Sequence, residues 1–85
     1  MLTCRSLLDY LRDRMGVDVS GVDESTPLFS ANLLDSFSMV DLIMFIEKQG
    51  GIKMDVWDVT LDNLDSIGRI LRLVEDKRAQ LQLEG

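Results

Sequence analysis

Apolar residues recur at helical spacing in three separate stretches of this chain. Over residues 3–15, Cys4, Leu7, Leu8, Leu11 and Met15 follow the i, i+3, i+4 pattern that stacks side chains on one helix face. Thr3 is placed to cap that helix and Gly16 to end it. Residues 16–35 break the pattern with Gly16, Gly21, Ser25, Thr26, Pro27 and Asn32, which predicts a long loop pinned by Val22, Leu28, Phe29 and Leu33. A second helix is predicted from Asp35-Ser36 to about Gln49, closed by Gly50-Gly51, with a short helical turn at about 56–60. A last helix, entered through the cap pair Asp65-Ser66, buries Ile67, Ile70, Leu71 and Val74. The tail beyond Glu75 is charged and glutamine-rich and is expected to fray over about 77–85. Because no stretch alternates with period two, the expected fold is all-α. It is a small four-helix bundle of three longer helices and one short one, with the long loop between helices one and two. Residues 1–85 are expected to form one domain with a core over about 3–76, since so short a chain has no room for a second core.

The second helix carries more apolar residues than one buried face needs. Advancing about 100° per residue, Met39, Leu42, Ile43 and Ile46 share an arc wide enough for a core face. Phe37, Val40 and Met44 fall on a different arc, flanked by Asp41 and Glu47. An apolar strip bordered by acids has the layout of a docking surface, and methionine at its centre suits several partners because its side chain repacks easily. A second buried face would show the same pattern, so the spacing alone leaves both readings open.

Charge sharpens the picture. The net charge of −6 is concentrated in residues 16–65, which hold two lysines and ten acids, while both ends of the chain are slightly basic. An acidic middle repels phosphate backbones and anionic lipid and attracts basic protein surfaces, so neither nucleic acid nor membrane is an expected partner. With 46% hydrophobic and 28% charged residues the chain is expected to be globular. Cys4 is the sole cysteine and histidine is absent, which excludes a disulfide framework and removes the commonest zinc ligand and general base. A core of this size supplies only about 3–5 kcal/mol of net stability, a poor setting for a deep, dry active site. No apolar run reaches the ~18–20 residues of a spanning helix, so a cytoplasmic protein is expected. The order of oxygen ligands in a calcium-binding EF-hand loop is also missing.

Ser36, in the first turn of the second helix, would present its hydroxyl near unpaired backbone N–H groups and the positive end of the helix dipole. A phosphodiester there would be stabilised, though capping by Asp35 and Ser36 alone explains most such pairs. The surrounding run carries more information. Thr26-Pro27-Leu28-Phe29, then Asn32-Leu33-Leu34-Asp35-Ser36-Phe37, then Val40-Asp41-Leu42 and Gly51-Ile52, resembles the phosphopantetheine-attachment region of acyl carrier proteins. The likeness extends through Leu61-Asp62-Asn63-Leu64-Asp65-Ser66-Ile67, and is greatest to free-standing carriers of specialised pathways, such as D-alanyl, aminoacyl and polyketide extender-unit carriers.

The resemblance implies that Ser36 bears a covalent 4'-phosphopantetheine arm from coenzyme A, with Asp35 contributing to transferase recognition. It implies as partners a phosphopantetheinyl transferase, an adenylating ligase or acyltransferase, and downstream acyl-accepting enzymes, and a monomeric carrier that performs no catalysis. Phe37, Val40, Asp41, Met44 and Glu47 match positions that meet partners in this family. A rival is an unmodified helical adaptor that uses the same strip. Three departures stand out. Asn32 replaces a common glycine, Gly50 replaces a common aromatic core residue and leaves a shorter helix or a cavity in prospect, and Lys48 and the uncharged Ser38 interrupt the usual acidic face. Trp57 is expected either to anchor its loop or to narrow the cargo cleft, and Tyr10 to sit at the border of helix one with its hydroxyl in water.

Overall fold

The computed structural model describes residues 2–84. Four α-helices follow one another: α1 Cys4–Asp13, α2 Ser36–Gly50, α3 Leu61–Leu64 and α4 Ile67–Glu84, with a 3₁₀ turn at Val56–Asp58. Among the described residues there is no strand. The bundle therefore has the expected three longer helices and one short one, joined between α1 and α2 by the expected long loop.

Helices α1, α2 and α4 contribute stripes that their spacing foretold, and α3, at Leu61–Leu64 and so beyond the turn expected at about 56–60, adds one residue more. Leu7 and Leu11 of α1, Leu42 and Ile46 of α2, Leu64 of α3, and Ile67 and Ile70 of α4 meet in one core with no exposed surface, joined by Leu28 from the loop. Thr3 and Ser6 start α1 reciprocally: Ser6 N–H donates to Thr3 Oγ1 at 3.0 Å and Thr3 N–H to Ser6 Oγ at 2.8 Å. Two of the orphan donors of the first turn are thereby satisfied. At the other end of α2, Gly51 adopts φ 65°, a left-handed conformation that side chains disfavour, and so closes the helix.

Asn32 has φ 61°, the only positive φ outside glycine among the described residues, and asparagine is among the few residues that tolerate it. The turn it makes brings Leu33 and Leu34 N–H back onto the Leu28 carbonyl, at 2.9 and 3.0 Å. The loop is thus folded over Leu28 just before α2 begins.

Gly50 neither shortens α2 nor leaves a cavity. It is the last residue of the helix and is buried. A Cβ built there would lie 3.0 Å from Val74 Cγ1, so α4 already fills the space. We expect Gly50→Phe to lower stability by about 1–3 kcal/mol in urea unfolding, as overpacking does, whereas a cavity at this point would make the larger residue stabilising.

α4 continues as helix through Glu84, across the stretch expected to fray. Lys77 explains part of the extension. Its Nζ lies 2.6 Å from Asp58 Oδ2 and 3.5 Å from Asp55 Oδ2, tying the fourth helix to the 3₁₀ turn. The hydrogen bond that Lys77 donates to Asp58 holds the Asp58 carboxyl below its usual range and raises the Lys77 ammonium above its own. Arg78 Nη1 also reaches the Gly50 carbonyl at 3.5 Å.

Of the two readings of Trp57 the structure does not bear out the anchor, and the Tyr10 hydroxyl finds a backbone acceptor. Trp57 is 86% exposed and anchors nothing, since polar contacts hold its turn: Asp55 N–H donates to Asp58 Oδ2, and Lys77 clamps both acids. Tyr10 stacks on Phe45 with ring centroids 4.0 Å apart, and its hydroxyl donates to the Asp41 carbonyl at 3.2 Å. Partial burial, and then the Asp41 charge, push the Tyr10 hydroxyl pKa up.

Candidate functional site at the start of the second helix

Ser36 is the first residue of α2 and is exposed. Capping is done by its neighbour: the Asp35 carboxylate accepts from Ser38 N–H at 2.9 Å. That bond holds the Asp35 carboxyl below the usual carboxylate range. Among the described residues nothing hydrogen bonds to Ser36 Oγ. The hydroxyl is therefore spared the structural task that serines at helix starts often perform, and it stands in solvent at the positive end of a helix of 15 residues.

Positioning comes from far along the chain. Asp65 is buried, and its Oδ1 accepts from Phe29 N–H at 2.8 Å and Ser30 N–H at 2.9 Å while Oδ2 accepts from Ser30 Oγ at 2.6 Å. The Asp65 carbonyl takes Leu28 N–H at 2.7 Å. Ser66, by contrast, caps α4 through Arg69 N–H at 3.2 Å. Of the pair read from sequence as a helix cap, only the serine caps; the aspartate grips the loop that delivers Ser36. Hydrogen bonds from the Ser30 hydroxyl, and then from the Ser30 and Phe29 N–H groups, hold the Asp65 carboxyl low against the opposing effect of burial.

The apolar strip beyond Ser36 is open. Phe37, Val40 and Met44 are 86%, 59% and 63% exposed, while Met39 and Ile43 on the opposite arc are partly buried against the core. Asp41 is exposed beside the strip. Glu47 is less available: it is partly buried, and its Oε2 accepts from Met54 N–H at 2.8 Å, fastening the connection that follows α2. Sequence reasoning had placed Glu47 at the rim with nothing to reveal this bond. It also passed over Phe45, whose ring supports Tyr10.

A small helical bundle with an exposed, unengaged serine at a helix start, and a bare apolar strip leading away from it, is the architecture of a carrier domain. Comparison with known proteins agrees. The family model described as "Phosphopantetheine attachment site" matches residues 5–74. An acyl carrier protein of Thermotoga maritima is 34% identical over 67 residues, covering 79% of this chain and 80% of that one. The "Probable acyl carrier protein PigG" of a Serratia species is 26% identical over 65 residues, covering 76% and 75%. A solved chain from the work described as "Crystal structure of FAD-dependent dehydrogenase" superimposes with a TM-score of 0.67 at 26% identity, covering 76% of this chain and 92% of that one.

The chain belongs to the phosphopantetheine-attachment family and is an acyl carrier protein, a non-catalytic carrier of a covalent 4'-phosphopantetheine group. The residues present fit such a group. A nucleophilic hydroxyl without a competing hydrogen bond stands at a helix N-terminus whose dipole favours a phosphodiester. When bound, the group supplies a terminal thiol on which cargo is held as a thioester. Among the described residues no helix is long and apolar enough to cross a membrane.

Proposed function

We propose that Ser36 is the attachment residue and that the chain acts as one monomeric, cytoplasmic carrier domain in a specialised pathway, distinct from bulk fatty-acid synthesis. The observation that carries this reading is the free, exposed Ser36 hydroxyl on a helix that Asp35 has already capped. In the attachment step Ser36 Oγ attacks the phosphorus of coenzyme A that bears the pantetheine. A new P–O bond forms, the anhydride bond breaks, adenosine 3',5'-bisphosphate leaves, and the hydroxyl proton passes to a base on the transferase. Asp35 lies next to the reacting oxygen, where it can meet the transferase as well as cap the helix.

Phe37, Val40, Asp41 and Met44 form the surface on which the transferase, the loading ligase or acyltransferase, and acyl-accepting enzymes dock, with Glu47 at its edge. Support comes from the strip's exposure on a helix whose core face is separately filled. A similar chain comes from a crystal structure described as that of an FAD-dependent dehydrogenase, which supports an enzyme of that kind as one client. The specialised role is supported by Lys48, which breaks the acidic run that bulk fatty-acid carriers present on this helix.

Incubation with coenzyme A, magnesium and a permissive phosphopantetheinyl transferase should add one phosphopantetheine mass to the intact chain. A folded chain that never gains the adduct would point instead to an unmodified adaptor. Phe37→Ser should leave the unfolding midpoint nearly unchanged, as exposed substitutions do, and reduce the kcat/KM of arm transfer roughly tenfold or more; an unchanged kcat/KM would remove Phe37 from the docking surface.

A further inference from the structure

The far end of the α2 surface is basic, on a chain that is acidic overall. Phe37, Asp41, Met44 and Lys48 are spaced by four, three and four residues, so they form one ridge along the helix. Asp41 and Lys48 are seven residues apart, about 10 Å along the axis. Beside the far half of this ridge runs an open groove of about 790 Å³, whose lining includes the stacked Tyr10 and Phe45, together with Arg14 at the end of α1, Lys48, and Lys53 from the segment after α2. Arg14, Lys48 and Lys53 are exposed, and none makes an ion pair among the described residues; the pairs there are all made by Arg5, Arg12 and Lys77. Of the two acids in the groove, Glu47 has one oxygen committed to Met54 N–H. Three cations without ion pairs thus line a groove with an apolar floor, whose other acid, Asp41, lies toward the Ser36 end of α2 with Asp35.

We propose that this groove docks a carboxylate-bearing amphipathic segment of a partner enzyme, its apolar side chains on Tyr10, Phe45 and Met44 and its acids facing Arg14, Lys48 and Lys53. The inference rests on α2 being the docking element of the carrier, and it adds the sign of the partner's charge. Opposite charges at the two ends of one ridge also fix the direction in which a partner can lie, because a reversed partner would set like charges against each other. Among the partners considered, this selects enzymes whose carrier-binding surface is acidic away from the active-site mouth.

The probe is a fluorescein-labelled amphipathic helical peptide with leucines on one face and glutamates flanking them, compared with its lysine counterpart. Binding to the full chain is read by anisotropy at about 0.15 M salt, where a Debye length of about 8 Å lets local charges outweigh the net charge. The glutamate peptide should bind about fivefold tighter and shift the amide resonances of Arg14, Phe45, Lys48 and Lys53. Lys48→Glu should abolish the preference, and Arg72→Glu, which makes the same charge change on α4, should keep it. Equal affinity, preference for the lysine peptide, or resonance shifts confined to other faces would overturn the proposal. Arm uptake at Ser36 is read separately by mass, so a chain that takes the arm but ignores the glutamate peptide refutes the groove alone, and the converse refutes the carrier reading alone.

Discussion

Ser36→Ala is expected to abolish phosphopantetheine uptake completely while leaving the unfolding midpoint where it was. The two halves of this result come from different atoms. Uptake needs an oxygen nucleophile at the phosphorus, and alanine has none, so no intact-mass adduct should form even at long incubation. Stability, in contrast, does not depend on that oxygen, because Ser36 Oγ holds no hydrogen bond and the helix start is closed by Asp35 accepting from Ser38 N–H. Alanine has the higher helix propensity, and the change should lie within about 0.5 kcal/mol in either direction. Asp35→Ala supplies the contrasting case: it removes the cap and should lower the midpoint, yet it keeps the nucleophile and should still take up the arm. If Ser36→Ala gained the adduct at full stoichiometry, the attachment site would lie elsewhere; if it unfolded, the hydroxyl would have a structural role that the geometry denies.

What the sequence revealed and what it hid divide along the range of the interactions. Helical periodicity is local, so α1, α2 and the start of α4 could be read from spacing, as could the two arcs of α2. The positive φ of Asn32 was legible because few side chains can occupy the turn that a glycine makes in relatives. The Ser36 hydroxyl could be placed at a helix start, but its freedom from hydrogen bonding could not, since Asp35 and Ser36 are equally good caps on paper. Long-range polar contacts left no trace. Asp65 reaches Phe29 across 36 residues, and no periodicity distinguishes it from an ordinary helix cap. Lys77 looked like part of a fraying tail because its two acids lie on the 3₁₀ turn, some twenty residues earlier. The anchor reading of Trp57 came from its ring, and Gly50 left a shorter helix or a cavity open because a missing side chain says nothing about which neighbour fills the space.

Loss of the Asp65 carboxylate should be the most destabilising polar change in the molecule. Three donors converge on it, two backbone N–H groups and the Ser30 hydroxyl, and the carboxylate is itself buried. Asp65→Ala leaves those donors without an acceptor and frees the loop that folds over Leu28. The cost should be about 2–4 kcal/mol, given that hydrogen bonds to a charged group are worth about 1.5–3 kcal/mol and Ser30 can recover some from water. For a domain of this size that is a midpoint lower by on the order of 10–20 °C. Asp65→Asn keeps one acceptor oxygen and should lose roughly half as much. The pH dependence follows from the sign of the shift. The folded carboxyl lies below its ordinary value, so in acid the unfolded chain binds more protons than the folded one. Its contribution is complete above the unfolded carboxylate range near about 3.9 and is lost as the pH falls below that range toward the depressed folded value. Urea unfolding of wild type and Asp65→Asn between neutral and strongly acidic pH should therefore converge at the acid end. Curves that stay parallel throughout, or an Asp65→Ala chain as stable as wild type, would show that the loop before Ser36 is held by its apolar contacts and that the carboxylate is incidental.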